Sequence, residues 1–401
     1  TPLEGVLSSG LVTLTVSDEE FDVTEVFAIT VTQVNDAPVI VSTAPSSVYL
    51  DDTFVYEVQV EDDDDTEFTY TLTDALDGMT ISDEGLITWT PSAVGTYGPV
   101  TVTAYDGGED NADPSSEIFM IEVEYNYMVI DFTLSQGNNL VSFYSIPPES
   151  QSVDFVFEPV ENNMTHIIGE SELAFYLDNV GWIGSLQEIE PTKGYWLRMD
   201  NSSTVYDLPV YGLPTESVEY IVHVGANLIS YSYNVSQNIQ DAIPAEHLDK
   251  LDAIYSQNNG TVNTSVGWMG SLSSFRPGDG YWIIANEPFV FSYNHPQGSA
   301  LARENFVPEI PFEYDYYQSA SQAFYFIKDI DLTQSNIEEG DWIVAYNDET
   351  VVGARMWSGE YTDIPVMGFD ETDDNTINYC QSGQSPTFVL HKMATGESIE
   401  L

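Results

Sequence analysis

Basic side chains are scarce in this sequence: 8 Lys and Arg stand against 66 Asp and Glu in 401 residues, a formal net charge of −58. That balance excludes direct binding to a phosphate backbone, which depends on lysine and arginine displacing counter-ions. The four lysines, Lys193, Lys250, Lys328 and Lys392, leave isopeptide staples little room. A single cysteine, Cys380, excludes an internal disulfide and a thiolate metal cluster, and it reads as a small core residue. No run approaches the roughly 20 apolar residues of a membrane span. The start lacks the basic segment and apolar stretch of a signal peptide, so a chain beginning at Thr1 is expected to be processed from, or part of, a larger precursor. Five histidines (His166, His223, His247, His295, His391) are scattered without metal-ligand spacing, and no nucleophile elbow, phosphate loop or dinucleotide fingerprint occurs. Serine, threonine and acids are so abundant that a triad or carboxylate pair can always be picked out, which makes either uninformative. The expectation is a protein that is not an enzyme.

Apolar residues are plentiful. They make up 42% of the chain, and 7 Trp, 25 Tyr and 19 Phe supply the cores of three or four domains. The acidity then belongs to folded surfaces, whose self-repulsion is tolerable in saline or calcium-rich surroundings outside a cell. Val12–Val16, Val26–Thr32, Val55–Val60 and Val100–Ala104 alternate apolar or β-branched residues with polar ones at period two, the pattern of half-buried strands. Helical periodicity is nearly absent, apart from a short helix expected near Ile239 to Leu251. Turn clusters such as Asn35-Asp-Ala-Pro38, Asp106-Gly-Gly-Glu109 and Pro277-Gly-Asp-Gly280 punctuate the strands as they do in sandwiches. The fold class is all-β, in tandem β-sandwich modules.

Val34-Asn-Asp-Ala-Pro-Val39, Glu61-Asp-Asp-Asp-Asp65, Leu76-Asp-Gly-Met-Thr-Ile81, Gly85-Leu-Ile-Thr-Trp-Thr-Pro91 and Ala104-Tyr-Asp-Gly-Gly108 together resemble the cadherin-like, immunoglobulin-type module of bacterial surface proteins. The resemblance covers one complete module, 37–125. Residues 1–36 resemble the closing strands of a preceding module plus a linker. A few strands bury no core alone, so the remaining strands come from upstream sequence or from another copy.

A repeat follows. Asn139-Leu-Val-Ser-Phe143, Val180-Gly-Trp-Ile-Gly-Ser-Leu186 and Lys193-Gly-Tyr-Trp-Leu197 recur as Asn227-Leu-Ile-Ser-Tyr231, Val266-Gly-Trp-Met-Gly-Ser-Leu272 and Asp279-Gly-Tyr-Trp-Ile283. Trp182 to Trp268 and Trp196 to Trp282 are both 86 residues apart. This spacing defines two tandem β modules, 126–212 and 213–298. They are similar to repeated modules of large secreted proteins from marine bacteria. A last β domain, 299–401, ends at Ser398-Ile-Glu-Leu401 in what reads as mid-strand and so is expected to be truncated.

Asn35, Asp36, Asp62, Asp64 and Asp106 form the strongest constellation, because hard oxygen ligands suit calcium. The resemblance implies the same set: in cadherin-like arrays an Asn-Asp linker, an Asp-x-Asp loop and a later-strand Asp meet at a module junction. The competing reading is a solvated acidic loop. Trp182, Tyr195, Trp196, Trp268, Tyr281 and Trp282 form a platform for stacking on sugar rings or, the favoured reading, the shared core of the repeats, since Gly-Tyr-Trp puts its aromatics on opposite strand faces. Sequons stand at Asn163, Asn201, Asn234, Asn259 and Asn263, the last two in a polar stretch read as an accessible loop.

These features lead to the expectation of a non-enzymatic extracellular building block of a marine bacterial surface fibre, sheath or array, stiffened by Ca2+ and self-associating by strand exchange. The alternative is a carbohydrate-binding adhesin, or the accessory region of a larger secreted enzyme.

Overall fold

The computed structural model describes residues 8–30, 35–63, 65–107, 112–215, 218–296, 305, 308–330 and 337–401. It divides into two compact units, residues 1–126 and 127–401. Among the described residues no helix is long and apolar enough to cross a membrane.

In the first unit, Ser8–Ser17 pairs antiparallel with Asp22–Thr30 in a two-stranded hairpin. Asp18 fixes its turn, accepting the amides of Glu20 and Phe21 at 3.0 and 2.7 Å. The complete module follows as a sandwich. One sheet orders Ser47–Tyr49, Ser115–Glu124, Gly95–Tyr105 and Thr69–Thr73, and the other orders Phe54–Glu57, Leu86–Trp89 and Thr80–Ile81. Alternation does what the pleat demands: Val100, Val102, Phe119, Ile121 and Val123 point inward to meet Phe54, Tyr56, Ile87 and Trp89. The run expected as one strand over Val55–Val60 is two. Phe54–Glu57 pairs with Leu86–Trp89, whereas Val60–Glu61 pairs with Val39–Ile40, so the chain changes partners at Val58 and Gln59.

In the second unit the two repeats have the same topology. Gly137–Ser142, Gly194–Met199, Met164–Ile168, Leu173–Leu177 and Gly181–Gly184 form one five-stranded sheet in that spatial order. Gly225–Ile229, Tyr281–Ala285, Leu251–Tyr255, Gly260–Thr264 and Gly267–Gly270 form the other. The recurring residues have matching duties. Asn139 bonds the backbone N–H and C=O of Ser135, both at 2.8 Å, as Asn227 bonds those of His223. The Tyr195 hydroxyl accepts the Glu190 amide at 2.8 Å, and that of Tyr281 the Arg276 amide at 2.6 Å. A Cβ on Gly184 or Gly270 would lie 2.0 or 2.2 Å from the neighbouring strand's carbonyl oxygen, which no side chain survives.

The repeats also join each other, reciprocally. Val141 bridges to Asp279 as Ile229 bridges to Lys193. The Ser142 amide donates to Gly278 O at 2.7 Å, and the Ser230 amide to Thr192 O at 3.1 Å. Each repeat thus presents the same edge to the other, a two-fold arrangement within one chain. Leu140, Trp196 and Leu228 are buried at this joint, with Trp282 packed beside them. Gly194 and Gly280 permit the approach: an added Cβ would sit 2.9 Å from Ile229 O or 2.7 Å from Val141 O.

The carboxy-terminal segment brings Thr350–Met356, Trp342–Asn347, Thr387–His391 and Ser398–Glu400 into one sheet and pairs Gln322–Ile327 with Thr362–Met367. It docks on the first repeat through the buried ion pair of Arg198 with Asp373, and on the second through its own buried pair Arg355–Asp363, 3.2 Å apart, whose Arg355 guanidinium donates to Asn258 O. Asp363, 1% exposed, also accepts the Gly260 amide at 2.9 Å and the Ser271 amide at 2.8 Å. Phe324 stacks on Tyr255 of the second repeat, centroids 4.8 Å apart. The expected segments 126–212, 213–298 and 299–401 therefore make up a single compact unit.

Candidate binding groove on the first repeat

Of the acidic set, the structure brings two residues together: Asn35 Nδ2 donates to Asp106 Oδ2 at 2.8 Å. Asp62 folds onto its own loop, accepting the Asp65 amide at 2.9 Å, Asp36 is exposed, and Asp64 lies outside the described residues. Among the described residues no group of three or more His, Cys, Asp or Glu is placed to hold a metal ion.

The aromatic platform divides differently. Tyr195, Trp196 and Tyr281 are 0%, 1% and 0% exposed, so they cannot face a sugar ring. Tyr195 and Tyr281 are core residues, recurring because both repeats need the same interior, and Trp196 is buried at the joint between the repeats. Trp182, Trp268 and Trp282 are half-buried, the first two against the cores of their repeats and Trp282 at the joint; Trp182 meets Tyr176 edge-on at 5.3 Å. The expected accessible loop around Asn259 is instead strand and turn. Asn259 is buried with Nδ2 donating to Ser271 Oγ at 2.7 Å, and Asn263 donates to the carbonyls of Leu248 and Leu251 at 3.0 Å. Asn259 therefore cannot carry a glycan in this fold, because its amide faces inward. Asn163 bonds Ser202 Oγ at 3.2 Å, while Asn201 and Asn234 are exposed.

The histidines are tied into structure. His166 sits under Thr372 at 3.3 Å, and burial, with Arg198 adding to it, pushes its pKa down to about 4 against the opposing pull of Asp370 and Asp373. It is neutral at ordinary pH. His223 holds Glu170 at 2.6 Å, and His391 lies between Tyr346 and Ser398 at 3.1 and 2.9 Å.

What the first repeat does offer is an open groove. The single helical turn Val153–Phe157 is capped by Ser152 and buries Val153, Val156 and Phe157. The 3.6-residue period then turns Phe155 outward, where it is 50% exposed. On the neighbouring strand Val205–Pro214, Tyr206, Leu208 and Val210 point in and Tyr211 stands out, 56% exposed. Tyr127 completes the aromatic lining, with its hydroxyl donating to Glu149 Oε1 and so orienting that carboxylate. Pro147, Pro159 and Pro209 stiffen the walls, while Asp154 and Glu158 join Glu149 in supplying acceptors. Apolar rings with a few fixed polar groups are the usual make-up of a small-ligand site.

The corresponding turn of the second repeat, Ile239–Ala242, buries Ile239 and Ala242 in the same way. Its counterpart of Phe155, 86 residues on, is Asp241. Repeat identity had drawn attention to Trp182, Tyr195 and Trp196; the signal for the groove lay in the difference between repeats.

Comparison with known proteins places the first unit. The sequence model of the family described as Putative Ig domain matches residues 37–124. Those residues are an immunoglobulin-type module of the bacterial surface kind, and they have the sandwich described above. No curated protein matches the chain. Among solved structures, a Bacteroides ovatus protein, the mixed-linkage glucan utilization locus SGBP-B in complex with a mixed-linkage heptasaccharide, is 14% identical. The alignment covers 92% of this chain and 99% of that one with a TM-score of 0.18, too slight a likeness to carry an argument.

Proposed function

We propose that the protein is a non-enzymatic, extracellular surface protein that binds neutral carbohydrate in the groove of its first repeat. The observation that carries this reading is the combination of Tyr127, Phe155 and Tyr211 with Glu149, Asp154 and Glu158. Exposed aromatic faces stack on the C–H faces of sugar rings. Fixed carboxylates accept strong hydrogen bonds from sugar hydroxyls. With −58 net charge and a carboxylate rim, the site repels sulfated or uronic-acid polymers, so the ligand class is neutral glycan. The histidines, held in structural contacts, support the non-enzymatic part of the reading. The immunoglobulin-type module fits a surface location and serves as a spacer.

Calorimetric titration of the full chain against neutral and anionic polysaccharides tests the reading. Binding to a neutral glucan or related polymer, lost in Tyr211→Ala, is expected; binding confined to anionic polymers would contradict it.

A second reading, calcium stiffening of the first unit, has the Asn35–Asp106 contact in its favour. A calcium-dependent rise in melting temperature, lost in Asp106→Asn, is its expected mark, since an ion that binds only the folded state stabilises by mass action.

A further inference from the structure

The groove of the first repeat is rich in acceptors and poor in donors. Glu149, Asp154 and Glu158 supply three carboxylates, and among the described residues no lysine, arginine or histidine lines it. Two of its hydroxyls are already committed: Tyr127 donates to Glu149, and Ser150 Oγ donates to Ser152 Oγ at 3.0 Å. The side-chain hydroxyls left to donate are those of Ser152 and Tyr211. A carboxylate only accepts hydrogen bonds, so the ligand has to bring the protons.

Local structure holds these acceptors in place. Ser145 and Ile146 pair with Pro214 and Leu213, and Gly212 permits the close approach, since a Cβ on it would lie 2.2 Å from the Ile146 carbonyl carbon. Pro147 and Pro148 then fix the backbone, Gln151 Nε2 donates to Pro147 O, and Glu149 is carried out beside Tyr127. The second repeat lacks this construction. From Phe143 to Val153 is 153 − 143 = 10 residues, whereas from Tyr231 to Ile239 is 239 − 231 = 8, and the shorter loop contains neither proline nor carboxylate. The counterparts of Asp154 and Glu158, 86 residues on, are Gln240 and Pro244.

We infer that the preferred ligand is an amino sugar, its protonated amine seated at the carboxylates and its ring on the exposed faces of Phe155 and Tyr211. This rests on the carbohydrate reading above and extends it from neutral rings to a cationic one, by the same exclusion of anions. An ammonium brings three donors and a positive charge, makes charge-assisted hydrogen bonds to carboxylates and is attracted to aromatic faces. An N-acetylated ring instead brings a carbonyl, one more acceptor in a groove of acceptors. The net charge of −58 attracts cations over the whole surface, so charge alone does not locate binding, and variants do.

The test uses β-1,4-linked tetrasaccharides of glucose, glucosamine and N-acetylglucosamine, which differ only at C2. Each is titrated calorimetrically into the full chain in mildly acidic buffer, which keeps the amine protonated. The glucosamine oligomer is expected to bind about tenfold or more tighter than the glucose oligomer, and the N-acetylated oligomer more weakly than both. Glu149→Gln lowers the ratio of the first two affinities several-fold. Phe155→Asp adds a negative charge and yet weakens the glucosamine oligomer, whereas attraction to the surface at large would hold or rise. Equal affinity for the glucose and glucosamine oligomers overturns this inference and leaves the carbohydrate reading standing; binding of none of the three overturns both. Glucosamine binding that survives Phe155→Asp also overturns it. So does a tetralysine peptide that binds as tightly and with the same dependence on Phe155, because the groove then reads charge and not sugar.

Discussion

The two repeats share a topology, a joint and nearly every buried recurring residue, yet one carries an aromatic groove and the other an acidic turn. At the turn after the first strand, the inward positions are Val153 and Val156 in one repeat and Ile239 and Ala242 in the other. The outward position is Phe155 in one and Asp241 in the other. Duplication has preserved what the core requires and freed what the solvent sees. Identity between repeats marks packing here, and difference marks the candidate site.

The comparison breaks most visibly at the joint, where equivalent tryptophans differ in burial. Trp196→Ala should cost about 3–5 kcal/mol, and Trp282→Ala, which is half-buried, roughly 1–2 kcal/mol, read as denaturant midpoints. Near-equal losses would mean that the joint is symmetric in energy as well as in topology.

The two buried ion pairs at the docked face of the carboxy-terminal segment come next, one across to the first repeat and one within the segment. Arg198→Met strands Asp373 and Arg355→Met strands Asp363, each about 3 kcal/mol, because a buried carboxylate without its cation keeps its desolvation cost. The loss at Arg355 is the smaller of the two, since Asp363 retains two backbone amides and the Ser271 hydroxyl.

Acid sharpens the contrast again. His166, with its folded pKa pushed down to about 4 from 6.5, belongs to the first repeat alone. The unfolded chain binds the proton first, so stability is full above pH 6.5 and falls as pH drops toward 4, by on the order of 3 kcal/mol. His166→Asn should flatten the melting-temperature profile in that window. At the joint, burial raises the Asp279 carboxyl to about 6, with Arg276 and Tyr281 pulling it down. A raised acid is most favourable protonated, and its contribution is lost as pH rises through 6. Asp279→Asn should therefore stabilise at pH 7–8 and not at pH 4, whereas Lys193, its counterpart, gives no such dependence in this range.

The smallest effect on stability belongs to the groove. Phe155→Asp, which makes the first repeat resemble the second, should change stability by no more than about 0.5 kcal/mol, as expected for an exposed position.

Much of the fold was legible because strands announce themselves by alternation: Val100–Ala104 and Val12–Val16 sit within the strands observed. The short helix expected over Ile239 to Leu251 is one helical turn, Ile239–Ala242, followed after Pro244 by the 3-10 stretch Ala245–Lys250, while Val153–Phe157, one turn long, was not legible. The joining of the repeats to the carboxy-terminal segment was not legible because Asp373 and Asp363 look like any of 66 acids until Arg198 is seen against the one and the amides of Gly260 and Ser271 against the other. The groove escaped for a related reason. Tyr127, Glu149, Phe155 and Tyr211 are far apart in the chain, and only the turn and the neighbouring strand bring them to one surface. Asn259 misled because a polar stretch reads as an exposed loop, although its amide is spent inside the sheet.

The central claim is that the first repeat, and not the second, holds the ligand. The measurement that tests it most directly is titration of the full chain with a neutral polysaccharide, comparing wild type with Phe155→Asp at matched melting temperature. The account predicts binding by the wild type and at least about tenfold weaker binding by the variant, a difference of about 1.4 kcal/mol. Equal affinity in the two proteins, or no neutral glycan bound by either, would contradict it.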